Sequence, residues 1–353
     1  MSNGAVMDIV SVREAIEWQA DHAEKNGAPG TARIVRALLA LGDSDAATAR
    51  RIMGWEGLSL RDAMPLRIAG GLHNLLLTGD EPRLADVYEG RALMQDSIDA
   101  LVRELVERWD ARLLPWLDGP PQTNEAGRSA SIMAGLMWLC ERIGARMTLF
   151  EIGASAGINT MLDRYRFELG GIGVGPAESP MRIAPEWRGK APPDCAPEIV
   201  SVRGCDIQPV DLTDEASALR LKSYVWPEAS QRMGRIDAAV ALAQEAAPDV
   251  VAQVADDFVA QFLAEPAPEG TARVLFHSIV WQYIPDEAQA RIEAAMAEAA
   301  AAATADTPLA WVMLETNRET FAHELRVRYW PNGGEEVLLG QAHPHGAWVE
   351  WAG

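Results

Sequence analysis

The sequence predicts an α/β protein: a parallel sheet with antiparallel edge strands at its C-terminal end, preceded by an all-helical N-terminal domain. Three observations predict it. Up to residue 125, apolar residues recur at helical spacing and no strand pattern is evident. Beyond Leu149, short apolar runs alternate with helical stretches, as crossover-connected parallel strands require. Residues 148–157 read Thr-Leu-Phe-Glu-Ile-Gly-Ala-Ser-Ala-Gly, an apolar strand running into a turn of small residues. The change of texture sets the domains at 1–128 and 129–353.

The elements follow in order. Residues 12–24 keep helical spacing. Residues 31–40 put Ile34, Val35, Leu38 and Leu39 on one face and stop at Gly42-Asp43. Residues 66–77 and 92–109 repeat the pattern, and Pro115, Gly119, Pro120 and Pro121 break it. An apolar helix over 129–142 leads to the first strand, 148–152, and 158–165 can continue as a helix. Residues 170–197, rich in Gly and Pro, read as a long surface excursion. Further strands are expected at 198–203, 250–254, 273–280 and 309–314. Helices are expected at 214–224, 228–246, 257–263 and 286–303. The Ala/Glu-rich run 293–305 is a solvent-facing helix. Residues 324–329 and 336–339 flank Pro331-Asn332-Gly333-Gly334 and read as a hairpin, with a third short strand at 347–351.

Composition excludes several classes of partner. The 353 residues carry a formal charge of −20, which argues against an extended nucleic-acid surface and against an anionic membrane. A small-molecule substrate fits better. Cys140, Cys195 and Cys205 form no C-x-x-C pair and no metal-ligand spacing, so reduced thiols are expected. Residues 1–10 lack the pattern of a signal peptide, and no apolar run reaches the ~20 residues of a spanning helix. A cytoplasmic protein without a metal is the expectation.

The turn after Ile152 admits three readings. A dinucleotide fingerprint needs G-x-G-x-x-G, and from Gly153 two of the three glycines are missing. A nucleophile elbow matches Gly153-Ala154-Ser155-Ala156-Gly157 literally, with His343 or His345 available as base. That elbow normally follows several strands, whereas this one follows the first. The third reading is the methyltransferase motif E-x-G-x-G-x-G, matched at Glu151, Gly153 and Gly157 with Ser155 at the middle glycine. Small residues let the backbone approach a ligand closely. An acid at the strand end can bind the ammonium group of S-adenosylmethionine. In this reading Asp206 ends the next strand and takes the ribose hydroxyls, and Asp256 ends another and takes the adenine amino group. His277 and Ser278, with Tyr283 nearby, face the methyl acceptor, and His277 serves as base or orienter.

The chain also resembles a bacterial family known as domain of unknown function 2332. The resemblance covers nearly all of it. It rests on Arg67-x-Ala69-Gly70-Gly71-x-His73, Thr123-Asn124-Glu125, Glu151 to Asn159, Asp163-Arg164-Tyr165, Gly204-x-Asp206-x-x-Pro209-x-Asp211, Val225-Trp226-Pro227, Phe276-His277-Ser278 and His343-Pro344-His345-Gly346-x-Trp348. The resemblance implies a methyltransferase-type Rossmann fold and brings no activity with it. Asp206 lies unusually far past the glycine turn, which leaves Glu168 as a second candidate for the ribose acid. Arg67, His73, Asn124 and Glu125 are polar residues beside apolar helical runs, and as a lid they would contact a substrate.

The function expected is S-adenosylmethionine-dependent methylation of a small molecule. The alternatives are a non-catalytic protein that binds an adenosyl ligand and a serine hydrolase using Ser155.

Overall fold

The computed structural model describes residues 11–56, 62–122, 124–266 and 268–353. The signal-peptide expectation for residues 1–10, and Thr123 of the Thr-Asn-Glu motif, lie outside them. Two compact units divide the chain between residues 123 and 124, and the first unit takes back the segment Asp214–Gly234.

Among its described residues the first unit is helical, with helices Val12–Lys25, Pro29–Ala37, Ala47–Met53, Met64–Leu77, Leu84–Tyr88, Gln95–Arg108, Asp110–Leu113 and the returning Glu215–Ser223. Local signals start them. The Ser11 hydroxyl accepts from the Glu14 N–H at the first N-terminus, and Pro29 opens the second helix where its missing N–H costs nothing. Ile16, Ile34, Leu38, Ile68, Leu72, Leu75, Val102 and Leu105 form the core. The Ala-Gly-Gly step in Met64–Leu77 is a packing device. A Cβ on Gly70 would lie 2.7 Å from the Tyr224 ring, and one on Gly71 would lie 2.9 Å from Leu113.

The second unit is α/β with a large mixed sheet. Its strands are β1 (Arg146–Ile152), β2 (Arg166–Leu169), β3 (Ile172–Val174), β4 (Arg182–Ile183), β5 (Glu186–Gly189), β6 (Glu198–Asp206), β7 (Val250–Ala252), β8 (Ala272–Ser278), β9 (Leu309–Thr316), β10 (His323–Trp330), β11 (Val337–Ala342) and β12 (Trp348–Trp351). Nine form one sheet in the order β5-β12-β11-β10-β9-β8-β1-β6-β7. Strands β7, β6, β1, β8 and β9 are parallel, and β10, β11 and β12 follow antiparallel.

Register and alternation sort the side chains of β1. Phe150 and Ile152 share a core with Leu275, Trp311, Phe258 and Phe262 under the helices Ala255–Ala264 and Asp286–Ala301. Phe150 stacks on Phe262 at 4.1 Å. Glu151, paired in register with Phe276 and through it with Val312, points to the other face, where the helix Ser129–Ile143 brings Gly135 against Val312.

Three expectations are corrected. The Gly/Pro-rich stretch 170–197 is not merely an excursion. It contributes β3 and β4 to a small sheet in the order β3-β2-β4, and β5 as the edge of the main sheet beside β12. These strands are too short to show alternation. Residues 158–165 make only a 3₁₀ turn, Asn159–Arg164. The thiols are not all free: Cys140 and Cys195 form a disulfide, and only Cys205 remains as a thiol. A 55-residue separation leaves no spacing signal.

Candidate functional site

The order of parallel strands reverses direction at β1. The second and third parallel strands of the chain lie on one side of it, and the fourth and fifth on the other. Crevices form at the carboxyl ends of strands where such a reversal occurs. Here those ends carry Glu151, Asp206, His277 with Ser278, and Glu315.

Glu151 is 1% exposed. Burial pushes its carboxyl up to about 8, against the opposing pull of the Arg128 cation and the Asn159 amide, while Asp206 adds a smaller upward push. Its Oε2 has no hydrogen-bond partner. The Asn159 amide lies close but makes no hydrogen bond of sound geometry, and the buried Ser155 Oγ is likewise unpartnered. Three buried polar groups left unsatisfied around one turn form a costly arrangement that an incoming polar ligand would relieve.

The turn itself is held from several sides. Gly153, Ser155 and Gly157 have φ of 69°, 53° and 70°. A Cβ on Gly153 would fall 2.2 Å from Val280 Cγ2, and one on Gly157 would fall 2.7 Å from Pro248. These glycines are therefore required by the protein's own packing, whatever a ligand requires. Asp206 Oδ2 accepts the Ser155 N–H at 2.9 Å, and its Oδ1 accepts the Gln208 N–H at 2.9 Å. Asn124 Oδ1 accepts the Ile158 N–H at 2.7 Å. Arg128, 8% exposed, donates to the Pro344 carbonyl at 2.9 Å and to the Ser278 carbonyl at 3.3 Å. Glu125 accepts the Gly127 N–H and pairs with Arg235 at 3.0 Å.

So the structure brings Glu151, Gly153, Ser155, Gly157, Asp206, Asn124 and the Ser278 backbone to one place. Asp206, and not Glu168, ends the strand beside β1; Glu168 sits in the small sheet and pairs with Arg166. Asp256 is corrected. The strand stops at Ala252, so Asp256 falls in the first turn of the helix Ala255–Ala264, where its carboxylate takes Arg291 Nε at 2.7 Å. His277 alternates to the face opposite Glu151, alongside Trp311 and Met313. Tyr283 is 59% exposed. Arg67 and His73 belong to the helical unit and spend their polar atoms there. Arg67 holds Asp62 at 2.6 Å and the Leu117 carbonyl, and the His73 ring bonds the Ser223 carbonyl at 3.0 Å. Burial lowers the His73 pKa. The backbone N–H of His345 donates to His343 Nδ1, and no group of three metal-ligating side chains occurs among the described residues.

Three residues of this region are given no role by the sequence. Asn159 only closes the Glu151–Asn159 motif, and Arg128 carries no motif. Glu315 does carry a signal: like Glu151 and Asp206 it is an acid at the end of an apolar strand. Its Oε1 accepts from His277 Nδ1 at 2.7 Å and from the N–H groups of Val280 and Trp281 at 3.0 and 3.3 Å. It thereby fixes the segment that packs on Gly153.

Among the described residues no helix is long and apolar enough to cross a membrane. The model of a bacterial family described as "Uncharacterized protein conserved in bacteria (DUF2332)" matches residues 13–351, and the chain belongs to that family. No curated protein matches it, and no solved structure does.

Proposed function

For this member of the DUF2332 family, we propose S-adenosylmethionine-dependent methyl transfer to a small-molecule acceptor, on a methyltransferase-like Rossmann sheet. The parallel strands run in the doubly wound order 3-2-1-4-5, which supports the fold assignment. One observation carries the ligand: the buried Glu151 carboxylate with an unpartnered Oε2 beside a positive-φ turn. An ammonium group is the complement such a carboxylate lacks.

The other residues fit unequally. Each Asp206 oxygen accepts one backbone N–H and retains a lone pair for a ribose hydroxyl. Ile207, 79% exposed, and Val254, 46% exposed, offer apolar surface at the ends of β6 and β7 for the face of a purine. Asp256 does not fit the adenine role, because Arg291 already holds its carboxylate. Bound there, the cofactor would supply an electrophilic methyl group. Methyl transfer depends chiefly on positioning.

Isothermal titration tests the reading. S-adenosylmethionine and S-adenosylhomocysteine should bind with micromolar affinity and NAD should not. Asp206→Ala should weaken binding at least tenfold. Equal binding of NAD, or none of either adenosyl ligand, would sink the proposal.

The serine-hydrolase reading keeps one observation in its favour, the left-handed φ of Ser155 at the centre of Gly-Ala-Ser-Ala-Gly. Its Oγ is buried and no imidazole bonds it. A fluorophosphonate probe should therefore leave Ser155 unlabelled. Stoichiometric labelling would reverse the choice between the two chemistries.

A further inference from the structure

On the sheet face opposite Glu151 lies a cavity of about 280 Å³ whose lining includes His277, Trp281, Trp311, Met313 and Glu315. Trp281 stacks on the His277 ring at 5.2 Å, and Trp311 meets Trp281 edge-on at 5.5 Å. Part of the charged side of the cavity is satisfied internally: Arg326 bonds Glu324 and Glu336, each at 2.6 Å, and Asn317 Nδ2 donates to Glu324. Glu293 also lines the cavity.

Two polar atoms remain. His277 is 1% exposed and Trp311 is 2% exposed, and neither His277 Nε2 nor Trp311 Nε1 has a partner. Their chemistry is complementary. A carboxylate oxygen accepts, so the 2.7 Å bond to Glu315 is made by His277 Nδ1–H, and the tautomer that carries its proton there leaves Nε2 as an acceptor. The indole N–H of Trp311 is only a donor. The two rings meet edge to face with centroids 5.9 Å apart, and one hydroxyl group placed between these atoms would satisfy both, donating to Nε2 and accepting from the indole N–H. The paired indole rings suit an aromatic body behind that hydroxyl.

We propose that this cavity binds a small phenolic molecule, with His277 Nε2 accepting the phenolic proton and Glu315 acting as the positioning residue for the imidazole. The proton moves from oxygen to Nε2, the resulting imidazolium is held by Glu315 through Nδ1–H, and the phenolate oxygen takes the Trp311 N–H. The assignment stands on the cavity alone. It involves no cofactor, and it survives if the adenosyl ligands fail to bind.

The probe is 4-nitrophenol, whose anion absorbs visibly and whose neutral form does not. The full-length protein is titrated into it one pH unit below the probe's ionisation midpoint. The expected result is saturable growth of the anion band. Trp311→Phe keeps the wall and removes one hydrogen bond, so binding should weaken about fivefold. His277→Gln should abolish the band. Glu315→Gln should reduce the band more than it reduces affinity, measured separately by probe-detected NMR line broadening, which a merely structural role would not produce. No saturable binding by the unaltered protein overturns the proposal, and so does an unchanged band in His277→Gln.

Discussion

Glu151→Gln is expected to raise the melting temperature of the ligand-free protein at pH 8.5 and, in the same variant, to abolish binding of the adenosyl ligands. The buried carboxyl has its pKa raised from 4.5 to about 8. A raised acid binds more protons in the folded state than in the unfolded one between those two values. Stability from this group is therefore greatest below pH 4.5, falls as pH rises, and reaches its full penalty above pH 8. The shift corresponds to on the order of 4 kcal/mol at pH 8.5 and about 1 kcal/mol or less at pH 5. Gln keeps the shape and never ionises. Its advantage should grow across that window to roughly 10 °C for a unit of this size. Scanning calorimetry at pH 5 and pH 8.5 measures it. Identical melting of the two proteins at pH 8.5 would mean that Glu151 is not held against ionisation.

The same group sets the pH dependence of binding. An ammonium ligand needs Glu151 ionised, so binding below pH 8 releases one proton, and affinity should rise about tenfold per pH unit from 6 to 8. The loss of stability in the empty protein and the gain in affinity of the loaded one are two readings of one unpartnered oxygen. On the proposed reading this couples the site to the fold: the destabilising carboxyl at the end of the central strand would be offset when an ammonium ligand binds.

What the sequence conveyed, and what it withheld, follows the range of the interactions. Strand 309–314 is legible because a buried parallel strand is a continuous apolar run, and 148–152 departs from one only at Thr148 and Glu151. The acid-ended turn is legible because Glu151, Gly153 and Gly157 are neighbours in sequence. Strand β5 is not legible: Glu-Trp-Arg-Gly has neither an apolar run nor alternation, and it is a strand only because β12 pairs with it. Asp256 reads as a strand end in the sequence for the same reason, since Arg291, 35 residues on, decides where its carboxylate goes. In the sequence the glycines of the turn read as room for a ligand. Gly153 instead answers to Val280, more than a hundred residues distant in sequence. Glu315 was open to the rule that found Glu151 and Asp206, but its purpose depends on His277 in the adjacent strand.

Reduction of Cys140–Cys195, or replacing both by alanine, is expected to cost about 4 kcal/mol, because the bridge closes a 55-residue loop that the unfolded chain would otherwise leave open. The register explains how the pair meets. Arg146 pairs with Glu198 at the amino ends of β1 and β6, so the last turn of the helix Ser129–Ile143 lies beside the chain that enters β6. The thiol count checks the pairing. Denatured without reductant, the protein should titrate one thiol, Cys205, which burial in the folded state pushes up to about 12 and so protects. Titration of three thiols would remove the bridge. The functional consequence should be small. Cys195 precedes β6 while Asp206 ends it, separated by roughly 25 Å of strand. Loss of the disulfide should therefore lower the melting temperature by roughly 10 °C and leave the affinity of the folded protein for its proposed ligand unchanged. A parallel loss of affinity would show that the amino ends of β1 and β6 set the turn at their carboxyl ends, which rigid strands held by Asp206 and Asn124 should prevent.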